Sequence, residues 1–253
     1  MKKGIKEKLK RRNNHTGDFM KDKVCIITGA GGGIGSAIAE ALFACGVRLV
    51  LMGRNEEKLK KTAKGRECLI LPGDLCNDDY IKETIEKTIQ VYGGIDLLIN
   101  NAGVAQSKAF EEISMEEYDM IMATNARAPF LMCKKALPYL QESSCGTIIN
   151  IASVTAHHGY ALQSAYAASK HALLGFSKAL SKEYYKKGVR VHVISPGAVF
   201  TDMVKISRPD LTGEGMVLPE DIAETVLYLI KMRGSASVTD EIQLHRETKE
   251  PFM

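Results

Sequence analysis

The chain has 253 residues, enough for one large α/β domain or two small ones, and its 45% hydrophobic and 25% charged residues are typical of a globular protein. Its net charge of +4 is uneven, because residues 1–23 carry nine Lys or Arg and three acidic residues, which leaves −2 for residues 24–253. This nearly neutral body excludes nucleic-acid binding driven by bulk charge, and the lack of an apolar run of 18 residues excludes a membrane-spanning helix.

The basic residues 1–23 are consistent with several roles. Basic arms bind nucleic acids or anionic membranes, but chain ends that nothing holds in place are usually poorly ordered. The segment lacks the apolar stretch of a signal peptide. We predict a flexible N-terminal extension over 1–23 and a single domain over 24–253. Six cysteines without a C-x-x-C pair predict free thiols in a reducing cytoplasm.

From Val24 onward, short apolar runs alternate with segments of helical periodicity, which predicts βαβ units and a mostly parallel sheet. The predicted strands are 24–28, 47–52, 68–71, 95–99, 146–151, 189–194 and 241–245. The predicted helices lie near 34–46, 55–64, 77–92, 114–140, 164–187 and 219–232. Several strands are apolar at nearly every position, as expected for a sheet covered on both faces. The prediction is a doubly wound, Rossmann-type α/β fold with one seven-stranded sheet.

The first strand is followed by the glycine-rich run T28-G-A-G-G-G-I-G35. Glycine lets a ligand approach the backbone, and the N-terminus of the next helix can direct free N–H groups at a phosphate. Gly29, Gly33 and Gly35 are spaced G-x3-G-x-G, which differs from the G-x-G-x-x-G fingerprint, so a tight packing turn is the alternative. The position between a strand and a helix favours pyrophosphate binding.

The second predicted strand ends in L51-M-G-R-N55, where Arg54 stands and no acidic residue does. An acidic residue at this point binds the ribose 2′-hydroxyl of NAD(H), whereas arginine accommodates the 2′-phosphate of NADP(H). The alternative role for Arg54 is a solvated residue at the start of a helix. The sequence favours NADP(H), with NAD(H) as the second choice.

Small and polar residues also follow the later strands: Asp74 and Leu75, N100-N-A-G103, Ser153, and the run from Pro196 to Thr201. Asn125 lies in the predicted helix 114–140, and Tyr166 and Lys170 lie one turn apart at the start of the next helix. Each alone can be a turn, cap or strand-ending residue. Their shared position at the carboxyl edge of the sheet, where ligands bind in such folds, favours a functional site.

This ordered set resembles the short-chain dehydrogenase/reductase family. The matching motifs are T-G-x3-G-I-G at 28–35, N-N-A-G at 100–103, Asn125, Ser153, Y-x3-K at 166–170, and P-G with Thr201. They follow the family's order from residue 24 to about residue 245. The resemblance implies hydride transfer between a nicotinamide cofactor and the carbonyl carbon of a small-molecule ketone, aldehyde or 3-oxoacyl compound, which interconverts it with an alcohol.

The resemblance assigns four catalytic residues. It makes Tyr166 the general acid in reduction and the base in oxidation, with Lys170 lowering the pKa of the phenol and holding the nicotinamide ribose. Ser153 is expected to bind the substrate oxygen, and Asn125 to support a water-mediated proton path to Lys170.

The resemblance also implies the residues that contact the cofactor. They are Gly29, Gly33, Ile34, Gly35, Arg54, Asp74, Leu75, Asn101, Ala102, Gly103, Tyr166, Lys170, Pro196, Gly197, Val199 and Thr201. Many members that prefer NADP(H) have a basic residue where this chain has Gly32, so the preference here depends on Arg54. The chain also lacks the D-G-G tail of many oxoacyl-carrier-protein reductases.

Other segments carry weaker signals. His157 and His158 follow Ser153 closely, so they either rim a substrate pocket or are surface loop residues. The stretch 203–217 is predicted to form a mobile lid. No H-E-x-x-H motif or Cys/His cluster indicates a metal site, and no G-x-S-x-G motif indicates a hydrolase.

The resemblance implies a homodimer or homotetramer that associates through the predicted helices 114–140 and 164–187. No membrane or nucleic-acid partner is expected. A cofactor-binding sensor without turnover is the alternative to an enzyme, and the complete Asn125, Ser153, Tyr166 and Lys170 set favours the enzyme.

Overall fold

A computed structural model describes residues 19–207 and 213–247. Most of the predicted N-terminal extension, residues 1–18, lies outside these ranges. Its last residues form a turn beside the first strand, where the Met20 side chain is only 2% exposed and Asp22 N donates to Gly46 O over 2.9 Å. The end of the basic segment is therefore packed against the folded body.

Seven strands form one sheet, and every neighbouring pair in it is parallel. The strands are β1 (Val24–Thr28), β2 (Arg48–Gly53), β3 (Leu69–Pro72), β4 (Leu97–Asn100), β5 (Thr147–Ile151), β6 (Arg190–Pro196) and β7 (Glu241–Leu244). Their order is β3-β2-β1-β4-β5-β6-β7, so the direction of winding reverses between β1 and β4. The predicted doubly wound, seven-stranded sheet is confirmed.

Helices cover both faces of this sheet. They are α1 (Gly33–Ala44), α2 (Glu56–Ala63), α3 (Asp78–Tyr92), α4 (Met115–Met122), α5 (Ala128–Glu142), α6 (Ser164–Tyr184), α7 (Asp202–Ser207) and α8 (Pro219–Lys231). The buried side chains of α1, α2 and α8 form one core with the sheet, while α3, α5 and α6 pack on the opposite face. All residues of β1, β4 and β5 are buried, which explains their continuous apolar character.

The predicted continuous helix 114–140 is wrong, because a π-helical turn at Ala123–Arg127 separates α4 from α5. Ala128 N donates to Ala123 O, five residues earlier. Pro129 in the first turn of α5 has no N–H and cannot donate to the carbonyl of Asn125, so the regular α-helical ladder is broken there. The break places Asn125 in a locally widened turn, a feature often found at functional sites.

The predicted lid over 203–217 falls partly outside the described ranges, which omit residues 208–212. Its first part forms the short helix α7. Its last part returns to the fold, because Phe200 N donates to Val217 O over 2.8 Å. No helix within the described ranges has the length and apolarity to cross a membrane.

Candidate active site

Hydrogen bonds connect the segments that follow β1 and β4, at the point where the direction of winding reverses. The Thr28 hydroxyl oxygen accepts hydrogen bonds from Asn101 N (3.0 Å) and Ala102 N (3.1 Å). In return, the Asn101 side-chain amide donates to Thr28 O and Gly29 O, over 3.0 and 3.1 Å. Gly29 has a φ of +66°, a conformation that favours glycine. The shape of the glycine-rich loop is thus fixed by the loop after β4.

Close packing of the backbone explains why residue 35 of this loop is a glycine. A Cβ on Gly35 would lie 2.3 Å from Gly29 O and 2.7 Å from the side-chain nitrogen of Asn101, so no larger residue fits without a shift. α1 begins at Gly33, and its N-cap, Gly32, has no side chain to cap the helix. The helix end therefore directs backbone N–H groups and the positive end of its dipole toward the cleft in front of it.

A cleft of about 540 Å³ opens at the carboxyl edge of the sheet. Every predicted cofactor-binding residue lines it: Gly29, Gly33, Ile34, Gly35, Arg54, Asp74, Leu75, Asn101, Ala102, Gly103, Tyr166, Lys170, Pro196, Gly197, Val199 and Thr201. Ser153 also lines the cleft, whereas Asn125 lies behind the wall that its neighbour Thr124 forms. The cleft is continuous from the end of β2 to the end of β6.

Three of the predicted catalytic side chains meet at one end of this cleft. Ser153 follows β5, and its hydroxyl accepts from Thr155 N over 3.2 Å, which caps a short 3-10 turn. Tyr166 and Lys170 are one turn apart on α6. Lys170 is 4% exposed, its Nζ donates to Ile151 O over 2.9 Å, and it lies 5.8 Å from the centre of the Tyr166 ring. β5 and α6 together therefore hold a hydroxyl, a phenol and an amine side by side.

Burial shifts both titratable groups toward their neutral forms. Burial raises the pKa of Tyr166, and hydrogen bonding with Ser153 offsets part of this effect. Burial also lowers the pKa of Lys170 to about 8. Lys170 is not among the causes of the shift at Tyr166, so the expected lowering of the phenol pKa by Lys170 stays a prediction; desolvation is the largest contribution to each pKa and favours the uncharged form of each.

Asn125 is fully buried and acts as a clamp in this structure. Its Oδ1 accepts from Val104 N over 2.8 Å, and its Nδ2 donates to Val104 O and to Ser169 Oγ, over 2.9 and 3.0 Å. Ser169 Oγ donates in turn to Tyr166 O over 2.7 Å. The π-helical turn is thus connected to the backbone of the tyrosine.

Sequence reasoning missed this role of Ser169. A signal was present, because Ser169 follows Tyr166 by three residues and residues at that spacing lie on one face of a helix.

Gly103 separates Asn125 from Lys170. A Cβ on Gly103 would lie 3.2 Å from Asn125 Oδ1 and 3.7 Å from Lys170 Nζ. The carboxamide oxygen and the amine therefore approach the same side of Gly103.

The other end of the cleft lies beside β2 and β3. Arg54 is exposed there, directly after the last residue of β2. Asp74 follows β3, and its Oδ1 accepts from Cys76 N over 2.9 Å, which fixes the carboxylate in a tight turn. This end therefore offers a cation and a positioned carboxylate.

His157 and His158 are not among the residues that line the cleft. His157 Nε2 lies 2.5 Å from Glu241 Oε1, which also accepts a hydrogen bond of 2.8 Å from Ser195 Oγ. This contact fastens the turn after Ser153 to β7. Across the described ranges, no group of three or more His, Cys, Asp or Glu residues is arranged to hold a metal ion.

The chain matches a protein family model and a curated relative. The family model described as short chain dehydrogenase matches residues 23–212. An uncharacterised oxidoreductase of Staphylococcus aureus is 36% identical over 224 residues, which cover 87% of this chain and 96% of that protein.

Two solved structures have the same fold. A levodione reductase has a TM-score of 0.80 and 29% identity, covering 89% of this chain and 96% of its own. A metagenomic short-chain oxidoreductase in complex with NADP has a TM-score of 0.78 and 30% identity, covering 91% of this chain and 99% of its own.

Proposed function

Since the chain belongs to the short-chain dehydrogenase family and its matched relatives are oxidoreductases, we propose that it interconverts a carbonyl compound and an alcohol with NADP(H) as cofactor. The substrate class is a ketone, an aldehyde or a 3-oxoacyl compound. The observation that carries the proposal is the meeting of Ser153, Tyr166 and Lys170 in a cleft that the glycine-rich loop also lines. A proton donor and a phosphate-binding loop in one cleft are what such a reaction requires.

The cleft has features that fit a dinucleotide. At Gly35 the backbone of α1 lies so close to Gly29 O that a Cβ would be 2.3 Å away, which leaves a shallow cradle lined by backbone. The N-terminus of α1 supplies N–H groups for a pyrophosphate. Gly29, Gly33, Ile34 and Gly35 therefore hold the pyrophosphate in the proposal.

The resemblance to the family supplies the remaining cofactor contacts of the proposal, and all of these residues line the cleft. Asp74 and Leu75 lie beside the adenine, and Asn101, Ala102 and Gly103 line the ribose region. Pro196, Gly197, Val199 and Thr201 flank the nicotinamide end. Arg54 binds the 2′-phosphate, because it is an exposed cation at the end of β2, and the matched metagenomic oxidoreductase is described in complex with NADP.

When bound, the nicotinamide supplies or accepts the hydride. Ser153 donates a hydrogen bond to the substrate oxygen and orients the carbonyl. Tyr166 gives its proton to that oxygen during reduction and removes it during oxidation. The raised pKa keeps the phenol protonated at neutral pH, which is the form needed for proton donation.

Lys170 and Asn125 return the proton to the phenol. Asn125 Oδ1 accepts one hydrogen bond, from Val104 N, and a carboxamide oxygen can accept two. The Asn125 carboxamide oxygen and the Lys170 amine both lie within 4 Å of the Cβ position of Gly103. In reduction, Lys170 passes a proton to the phenolate and recovers one from a water that Asn125 supports, and its pKa of about 8 suits exchange near neutral pH.

A substrate screen tests the enzymatic proposal against the cofactor-binding sensor. The purified protein is assayed with NADPH and NADH against ketones, aldehydes and oxoacyl esters, in both directions. We expect turnover on at least one class, and Tyr166→Phe is expected to lower kcat by about a hundredfold or more, as for loss of a general acid. Cofactor binding without turnover on any class, with wild type and Tyr166→Phe alike, would support the sensor.

The cofactor preference has its own test. Arg54→Ala removes a charge-assisted contact that only the 2′-phosphate can make, so we expect NADPH binding to weaken by about tenfold or more with little change for NADH. Equal weakening of the two cofactors would refute the phosphate role of Arg54.

We also propose a homodimer or homotetramer in the cytoplasm. Phe130 on α5 is 54% exposed, and its ring packs edge-on against Phe176 of α6 at 5.5 Å between centroids, so these helices present an apolar surface to a second copy. The cytoplasmic location rests on the sequence, whose six cysteines include no C-x-x-C pair. Light scattering of the purified protein measures the assembly, and a monomeric mass at micromolar concentration would refute it.

A further inference from the structure

The acidic residues at the start of α2 form ion pairs with only one of the nearby basic residues. Lys60 Nζ lies 3.0 Å from Glu56 and 3.1 Å from Glu57, so one lysine takes both acidic residues of the first turn. Arg54 and Lys58 both line the cleft, both are exposed, and neither has an acidic partner within the described ranges. Two cations at one rim of the cleft are therefore free to bind an anion.

The backbone at Lys58 is held against the glycine-rich loop. A Cβ on Gly31 would lie 2.9 Å from Lys58 Cβ, so Lys58 stands directly over that glycine. One turn later, the buried Thr62 hydroxyl donates to Ala30 O over 3.0 Å, and Lys58 O is a second acceptor at 3.1 Å. The base of the Lys58 side chain is thus fixed relative to the loop.

The loop itself brings no side-chain charge to this rim. Residues 29–35 read G-A-G-G-G-I-G, without a single ionisable side chain. Positive side-chain charge at this part of the cleft comes from the end of β2, through Arg54, and from the first turn of α2, through Lys58. The two residues flank Asn55, whose side chain caps α2 by accepting from Lys58 N over 2.9 Å.

We propose that Lys58 is a second specificity-determining residue, which binds the 2′-phosphate of NADP(H) together with Arg54. Arg54 reaches the phosphate from the end of the strand, and Lys58 reaches it from above the glycine-rich loop. A dianionic phosphate has three terminal oxygens, enough to accept hydrogen bonds from both side chains. This inference rests on the proposed preference for NADP(H), and it adds a residue from a different element to that preference.

A different role for Lys58 makes a different prediction. If its amine contacted the pyrophosphate, which NADPH and NADH share, loss of the charge would weaken both cofactors alike. If it contacts the 2′-phosphate, only NADPH is affected. The comparison of the two cofactors therefore separates the roles without any substrate.

The experiment measures the dissociation constants of NADPH and NADH by titration calorimetry for wild type, Lys58→Gln, Lys58→Arg and Lys61→Gln. Lys61→Gln is the matched control, because it removes the same charge from the exposed surface of the same helix and Lys61 does not line the cleft. We expect Lys58→Gln to weaken NADPH binding by about tenfold and NADH binding by less than about twofold. Lys58→Arg should retain most of the NADPH affinity.

The outcomes separate this inference from the proposal on which it rests. If wild type prefers NADPH and Lys58→Gln changes NADPH binding no more than Lys61→Gln does, the role of Lys58 is refuted and the cofactor preference stands. If Lys58→Gln weakens both cofactors equally, the amine binds the shared pyrophosphate and the inference is overturned. If wild type binds NADH as tightly as NADPH, the proposed preference itself fails, and this inference fails with it.

Discussion

Replacing Lys170 with methionine tests whether this buried amine carries the electrostatic cost that the structure implies. Lys170 is 4% exposed, and burial lowers its pKa from 10.5 to about 8. At about 1.4 kcal/mol per pKa unit, this shift corresponds to about 3 kcal/mol of folding free energy. Methionine has a similar length and no charge, so the variant removes the titration with a small change in packing.

The sign of the pH dependence follows from the direction of the shift. Between pH 8 and 10.5, lysine is protonated in the unfolded chain and largely neutral in the folded protein, so the unfolded state binds more protons. The cost of burying Lys170 is therefore largest below about pH 8 and disappears as the pH rises to about 10.5 and above. Between pH 7 and pH 10 it should change by about 2 to 3 kcal/mol.

The assay is urea denaturation of the cofactor-free protein at several values between pH 7 and pH 10. The free energy of unfolding of wild type minus that of Lys170→Met should rise by about 2 to 3 kcal/mol over this range. Lys182→Met, which removes an exposed lysine from the same helix, is the control and should give a nearly constant difference. A constant difference for Lys170→Met as well would refute the lowered pKa.

Two further substitutions test the framework of the site. Gly35→Ala places a Cβ 2.3 Å from Gly29 O, so we expect the loop to shift, stability to fall by about 1 to 3 kcal/mol and calorimetric NADPH binding to be lost. Gly32→Ala is the control, because its Cβ would lie at an ordinary 3.5 Å from Gly29 O, and it should bind NADPH normally. Equal NADPH binding by the two variants would contradict the steric role of Gly35. Burial opposes ionisation of Asp96, but hydrogen bonds, including one from Ser143, outweigh it and lower its pKa. Asp96→Asn should therefore lower the free energy of unfolding by about 1 to 3 kcal/mol at pH 7, measured by urea denaturation. The difference from wild type should shrink as the pH falls through the lowered pKa of Asp96. A difference that does not change with pH would contradict the lowered pKa.

The sheet could be predicted from the sequence because its signal is local. Strands buried on both faces need apolar residues at nearly every position, and β1, β4 and β5 have them. The position of the cleft followed from a general rule, since side chains after parallel strands meet at one edge of the sheet. The sequence alone therefore predicts that the glycine-rich loop and Arg54 line one cleft.

The π-helical turn could not be predicted in the same way. Helical periodicity runs through residues 114–140, and the break coincides with a contact between Asn125 and Val104, which are 21 residues apart. A proline in a helix removes the hydrogen bond to the carbonyl four residues earlier, but this stretch contains two prolines, Pro129 and Pro138, and only Pro129 stands at the break. The sequence alone does not show at which of the two prolines the helix breaks.

The pKa of Tyr166 shows why spacing alone could not give the electrostatics of the site. A lysine one turn from a tyrosine stabilises the phenolate if both groups are solvated and the amine is fully charged. In the folded protein both groups are desolvated, and the pKa of Lys170 falls to about 8 while that of Tyr166 rises. A phenol in this environment is ready to donate a proton, whereas proton abstraction from an alcohol requires the phenolate that burial disfavours.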